Sequence, residues 1–166
     1  MTTTPGSPRA GERPGPIEGA RFGHVNVIGT DWRRLATFYT ELFGCELVPP
    51  ERDYRGPDLE AATGIPSAHL TGAHLRLPGH GSSGPTLEIY QYETVEPARP
   101  PRVDRAGWGH VAFQVADVAA ALQRVLDAGG GRLGDVVTLT TADDRHVTWC
   151  YATDPDGNIV ELQAWS

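Results

Sequence analysis

Lysine is absent: all 14 of the Lys+Arg residues in this 166-residue chain are Arg. That excludes a Schiff-base or pyridoxal lysine, and it excludes a P-loop lysine holding a nucleotide phosphate. The formal net charge is −7 and no basic block interrupts it, so the charge that dominates nucleic-acid affinity is missing and no nucleic-acid partner is expected. Cysteine is scarce, with Cys45 and Cys150 far apart. Two thiols cannot form a four-thiolate zinc site or an Fe–S cluster, and a disulfide framework is not expected. No 18-residue apolar run occurs, so no membrane partner is expected. The opening MTTTPGSPRAGERPGP lacks the apolar centre of a signal peptide, which makes the cytoplasm the expected location.

Proline and glycine, at 14 and 20 residues, are plentiful instead. Residues 1–20 carry four of each and almost no large apolar side chain, so a disordered tail is expected there. A second Pro/Arg-rich stretch, VEPARPPRVDRAG at 95–107, reads as a linker between a first module at 21–94 and a second at 108–166. The two modules form a weak internal repeat, FGHVNVIGTDWRRLATFYTELFG against GWGHVAFQVADVAAALQRVLDAGG. Each opens with Gly-His in an alternating strand and continues as an amphipathic helix. Leu35, Phe38, Tyr39, Leu42 and Phe43 make the first apolar stripe, with Thr30 or Asp31 as cap and Gly44 past the end. Val118, Leu122, Val125 and Leu126 make the second, with Asp117 as cap and Gly129 as stop. Short strands follow around 73–77 and 86–92, then around 136–139, 146–152 and 159–164. The pattern is βα and two or three strands, twice, an α+β fold.

Strand alternation assigns the faces. Val25 and Val27 oppose His24 and Asn26; Val111, Phe113 and Val115 oppose His110, Ala112 and Gln114. Leu87 and Ile89 oppose Glu88, Tyr90 and Tyr92, while Val160 and Leu162 oppose Glu161, Gln163 and Trp165. With the apolar sets under the helices, two histidines and two glutamates occupy equivalent places on the uncovered faces. If the two sheets pair about a pseudo-twofold axis, His24, Glu88, His110 and Glu161 converge. Two imidazoles and two carboxylates suit a divalent metal with one or two positions left open. Without a cation, two carboxylates in one pocket repel each other.

At these residues the chain resembles the vicinal oxygen chelate superfamily, which includes glyoxalase I, methylmalonyl-CoA epimerase, extradiol dioxygenases, fosfomycin resistance enzymes and bleomycin-binding proteins. The resemblance runs from about Arg21 to Ser166 and rests on HVNVIGTDWRRLATFYTELFG, PTLEIYQY, GHVAFQVADV and DPDGNIVEL. It implies two paired βαβββ modules forming a curved, incomplete barrel around a metal held by His24, Glu88, His110 and Glu161. The metal is Ni, Co, Mn, Zn or Mg, and a homodimer is a family expectation. A complete His/Glu/His/Glu set is most similar to bacterial glyoxalase I. The implied activity is isomerisation or epimerisation, of glyoxalase I or acyl-CoA epimerase type. A small substrate with vicinal oxygens chelates the metal, and Glu88 or Glu161 moves the proton alpha to its carbonyl by way of an enediolate. The alternatives are a dioxygenase or ring-modifying enzyme of secondary metabolism, or a resistance protein that binds a natural product. Glutathione-dependent glyoxalases carry Arg and Asn where this chain has Ile28 and Tyr92, so the pocket is expected to be more apolar and aromatic.

The expected substrate contacts are Asn26, Arg76, Tyr90, Tyr92, Gln114, Trp149 and Trp165. His74, which shares a face with Arg76, is a candidate acid/base. In HVTWCYA, alternation separates His146, Thr148 and Cys150 from Val147, Trp149 and Tyr151 without saying which set meets the pocket. Cys150 is expected to be a buried packing residue, and Asp143-Asp144-Arg145 to be a hairpin turn.

Overall fold

A computed structural model of the chain describes residues 16–96 and 98–166. Most of the expected tail, residues 1–15, lies outside them. The first sheet runs β1 (His24–Ile28), β4 (Thr86–Tyr92), β3 (His69–Arg76), β2 (Glu46–Arg55) in spatial order. The second runs β5 (Val111–Gln114), β9 (Ile159–Trp165), β8 (His146–Thr153), with β6 (Gly131–Arg132) and β7 (Val137–Thr140) sharing the far edge of β8. Neither sheet closes into a barrel. β1 pairs β4 in parallel and β5 pairs β9 in parallel, so each half contains the same crossover. Helices α1 (Trp32–Phe43) and α3 (Val118–Asp127) supply those crossovers, and a short α2 (Pro57–Thr63) follows β2.

Both long helices start where their caps dictate. Asp31 accepts from the Arg33 and Arg34 amides at 3.0 and 3.1 Å, and Asp117 accepts from the Ala120 amide at 3.0 Å. These contacts satisfy N–H groups that a helix start leaves unpaired. Gly44 ends α1 in the left-handed region at φ 67°. The apolar stripes meet a single core that spans both halves, including Leu35, Tyr39, Leu75, Leu87 and Ile89 from the first and Leu122, Val125, Val160 and Leu162 from the second. Between the halves, Phe43 of α1 stacks on Phe113 of β5 with ring centroids 4.0 Å apart.

A hydrogen-bond stitch joins the halves beside that stack. The DPDGN turn between β8 and β9 buries Asp154, 1% exposed, whose carboxylate accepts from the amides of Asp156 and Asn158, the Asn158 side chain and the Tyr39 hydroxyl at 2.8–3.0 Å. Thr30 and Arg34, at the start of α1, reach Asp156 of the same turn at 2.6 and 3.0 Å.

β2 and α2 were not among the expected elements. The run ELVPPERDYR contains adjacent prolines and no alternation, yet it forms a strand because it occupies a sheet edge. There an absent N–H leaves no ladder bond unmade. Its register with β3 shifts between Val48 and Arg52. Among the described residues no helix is long and apolar enough to cross a membrane.

Candidate functional site

The registers place one carboxylate and one imidazole together in each half. On the first sheet Asn26 lies beside Glu88, and His24 is two residues earlier. On the second sheet Ala112 lies beside Glu161, and His110 is two residues earlier. The same diagonal results. His24 Nε2 is 3.4 Å from Glu88 Oε2, and His110 Nε2 is 3.2 Å from Glu161 Oε2. Glu88 is buried and Glu161 half-buried, and no Arg approaches either carboxylate within ion-pair distance among the described residues. A carboxylate withdrawn from water beside imidazoles calls for a cation.

The expectation that all four residues converge is not met within one chain. Among the described residues no group of three or more His, Cys, Asp and Glu is gathered around one point. A cavity of about 420 Å³ is lined by Val25 to Ile28 of β1, by the intervening chain within 98–109, by His110 and Val111, and by the DPDGN turn. His110 lines that cavity and His24, Glu88 and Glu161 do not, so the two pairs do not face one another across it. The chain presents two half-sites.

In the first half-site Glu88 has a second partner. His74 lies directly across from it on β3, with Nε2 3.0 Å from Glu88 Oε1 and 2.8 Å from the Tyr90 hydroxyl. His24 and His74 thus take different oxygens of one carboxylate, their ring centroids 6.5 Å apart, which is why the three do not meet at a point. Burial pushes the His74 imidazole below its ordinary pKa, the Glu88 charge opposing and the Arg52 and His24 charges adding to the fall. Burial and the same carboxylate push the Tyr90 phenol up to about 12. A neutral imidazole with its Nε2 against a carboxylate can accept a proton from it, while the Tyr90 hydroxyl at the same nitrogen fixes the ring.

The second half-site has Tyr151 where the first has His74, directly across from Glu161. Its ring lies 5.1 Å from that of His110, and burial together with the Glu161 charge raises its hydroxyl pKa. This settles the face of β8. Tyr151 and Trp149, T-stacked at 4.9 Å, belong to the open side, and Cys150 is buried in the core.

The expected substrate contacts are dispersed. Asn26 is exposed beside the first pair, donating a long 3.4 Å bond to the Glu88 carbonyl. Tyr90 belongs to the first cluster and Trp149 to the second. Gln114 is exposed on β5, Tyr92 half-buried on β4. Trp165 donates to Gln163 at 2.9 Å and is covered by the Arg145 guanidinium. Arg76 is turned toward the Ser82 carbonyl and Glu46, so the turn after β3 holds it rather than leaving it free in the pocket.

Arg52 escaped the sequence reading. It sits on β2 opposite Gly72, and its Nη1 is buried with no hydrogen-bond partner. No sequence signal separates it from the other arginines, because its face depends on the register shift in β2.

A family model described as Glyoxalase/Bleomycin resistance protein/Dioxygenase superfamily matches residues 21–162. The chain is similar to a glyoxalase family protein from Bacillus cereus at TM-score 0.76 and 19% identity, covering 92% of this chain and 99% of that one. It is similar to a glyoxalase I mutant from Zea mays at TM-score 0.58 and 23% identity, covering 86% of this chain and 45% of that one. A genomically encoded fosfomycin resistance protein from Listeria monocytogenes aligns at TM-score 0.54 and 14% identity, over 87% of this chain and 90% of that one. No curated protein matches the chain. Likeness at these identities shows the fold.

Proposed function

The chain belongs to the Glyoxalase/Bleomycin resistance protein/Dioxygenase superfamily, and on that premise we propose that it is a divalent-metal isomerase or lyase that moves a proton on the carbon next to a carbonyl. The observation that carries this reading is the His–Glu pair repeated in the same register in both halves, at 3.4 and 3.2 Å. Two N/O ligands each about 2.1 Å from a common ion, at tetrahedral or octahedral angles, lie about 3.0–3.4 Å apart. Each pair already has the spacing of two neighbouring ligands, so His24, Glu88, His110 and Glu161 fit a divalent ion such as Ni, Co, Mn, Zn or Mg.

Because one chain keeps the pairs apart, the four-donor shell is completed in a homodimer, the first half of one chain facing the second half of its partner. A twofold dimer makes two equal sites. Hybrid dimers test this. A variant carrying His24→Ala and Glu88→Ala is mixed with one carrying His110→Ala and Glu161→Ala, each of which has lost its metal. A shared site predicts recovery of one intact site per hybrid dimer, read as metal content. Persistent absence of metal sinks the shared site.

When bound, the ion supplies Lewis acidity that makes the C–H next to a chelated carbonyl more acidic. The side chains do the rest. Glu88 and Glu161 approach from opposite halves, so one can take a proton from one face of a planar carbon while the other serves the opposite face. His74 Nε2, beside Glu88 Oε1 and steadied by the Tyr90 hydroxyl, can take up the proton that Glu88 captures and return it through the same carboxylate. Trp149 and Tyr151 supply an aromatic wall that excludes water. Return of the proton to the other face is epimerisation, and return to the next carbon is a glyoxalase-type isomerisation. Deuterium exchange into 2-oxo acids, thioesters and hemithioacetals, with and without added metal, tests the reading; no exchange with any of them in the metal-loaded protein defeats it.

The aromatic wall favours a second reading, a resistance protein that holds an aromatic natural product in the same place. Glu88→Gln separates the two. A binder keeps its affinity, whereas an enolising enzyme loses turnover.

A further inference from the structure

Arg52 is the basic group that the proposed site leaves unexplained. It faces Gly72 across the β2–β3 ladder, and Gly72 faces Tyr90 on β4. Paired residues of an antiparallel ladder project to the same side of a sheet, and Gly72 is two residues from His74, so Arg52 projects from the open face that carries His74 and Glu88. Gly72 makes room there: a Cβ would collide with the Ile89 carbonyl and the Tyr90 ring.

The acids that could neutralise Arg52 are otherwise engaged. Asp53 pairs with Arg55 at 2.9 Å and with His69 at 3.0 Å, and Glu51 pairs with Arg33 at 2.7 Å. Among the described residues no carboxylate stands within ion-pair distance of Arg52, and its buried Nη1 has no acceptor. A guanidinium N–H withdrawn from water without an acceptor is costly, so a missing acceptor of complementary shape is the natural occupant. The planar fork of Arg matches two oxygens in a plane. A carboxylate fits that fork with one negative charge. A phosphate dianion would carry a second charge that the single guanidinium leaves unmatched.

We propose that Arg52 binds a carboxylate of the substrate, so that the site takes vicinal-oxygen compounds carrying a separate carboxylate arm beside the Tyr90 ring. This rests on the proposed reaction for the role of the vicinal oxygens, but the Arg52 contact itself needs no metal. It also differs from what the sequence pointed to, since Arg76, the expected substrate arginine, is held by its own turn.

Two probes differing only in a carboxylate, benzohydroxamate and 4-carboxybenzohydroxamate, are titrated calorimetrically into the full chain with EDTA and, separately, with Mn²⁺. In the wild type the carboxylate is expected to tighten binding about 10- to 100-fold in both conditions, the range of a charge-assisted contact. Arg52→Met abolishes that discrimination and Arg52→Lys keeps part of it. Arg76→Met leaves it unchanged. Equal affinity for the two probes in the wild type, or discrimination that survives Arg52→Met, overturns the proposal. Melting curves of Arg52→Met and Arg52→Gln report folding, and if Met unfolds the chain, Gln carries the test. Failure of Mn²⁺ to strengthen either probe counts against the metal reading alone, because the EDTA arm reads Arg52 independently.

Discussion

The two halves hold the same pair of ligands in the same register and surround them differently. Glu88 is clasped by two imidazoles, one on each oxygen, while Glu161 has one imidazole and faces a tyrosine across the ladder. His74 and Tyr151 occupy equivalent positions, and so do Gly72 and Trp149, opposite Tyr90 and Gln163 respectively. The first half therefore has a titratable imidazole and, opposite a glycine, an arginine without a carboxylate partner; the second has an aromatic wall. A repeated frame has been divided between proton handling and enclosure. The edge strands differ too: β2 is one ten-residue strand with a register shift, whereas two short strands, β6 and β7, share the corresponding edge of the second sheet.

The sharpest way to break this division is to remove the carboxylates. Glu88→Gln and Glu161→Gln are each expected to lower deuterium exchange alpha to the carbonyl by about 10²- to 10⁴-fold, the usual reach of general acid–base catalysis. If Glu88→Gln proves no more harmful than a surface change, the first half has no special part in proton transfer. A milder test makes the halves alike. His74→Tyr should lower exchange by about 10- to 100-fold at saturating metal, with occupancy verified by atomic emission so that lost metal is not mistaken for lost proton transfer. Tyr151→His should change exchange by less than His74→Tyr does; the reverse order would mean that the proton-accepting side chain beside the carboxylate belongs to the second half.

The turns separate the halves in stability. Asp154, with four donors on its carboxylate, has no counterpart in the PGHGSSG turn between β3 and β4. Asp154→Ala is expected to cost about 2–4 kcal/mol of unfolding free energy and Tyr39→Phe about 1 kcal/mol, measured in urea. Burial holds the Asp154 carboxyl above its ordinary pKa, with hydrogen bonds from Asn158, Tyr39 and Asp156 opposing. The folded chain then keeps that proton to higher pH than the unfolded chain does. Its contribution is fully present below the unfolded value and is lost as pH rises through the folded one. The stability gap between wild type and Asp154→Asn should accordingly shrink as pH rises from the ordinary carboxylate range toward neutrality. A gap that widens over that range means the carboxylate, rather than the acid, is the stabilising form.

The smallest effect is expected at the thiols, which ought to be silent in both halves. Burial pushes Cys45 up to about 12 and raises Cys150 as well. At pH 8 about one Cys45 in ten thousand is thiolate. Iodoacetamide labelling, followed by mass spectrometry, should appear at either cysteine only after denaturation.

Much of this arrangement is legible in the sequence because alternation is a strong signal where one sheet face is covered. Val25, Val27, Leu87, Ile89, Val160 and Leu162 fix the covered sides, and His24, Glu88, His110 and Glu161 follow on the other. Asp31, Gly44 and Asp117 mark helix ends by local chemistry alone. What stays hidden depends on non-local geometry. β2 violates strand composition and is tolerated only as an edge. The face of β8 is decided by Cys150 entering the core, and both faces of that strand have plausible pocket residues. Internal repetition also identifies equivalent residues without saying whether they meet within one chain, and here the two His–Glu pairs do not gather around one point among the described residues.

The Phe43–Phe113 stack and the Tyr39–Asp154 bond have a consequence for proteolysis. They hold the halves together without help from the intervening chain, so a cut among the exposed residues 102–107 would leave a nicked molecule whose two fragments stay associated and part only when the shared core melts.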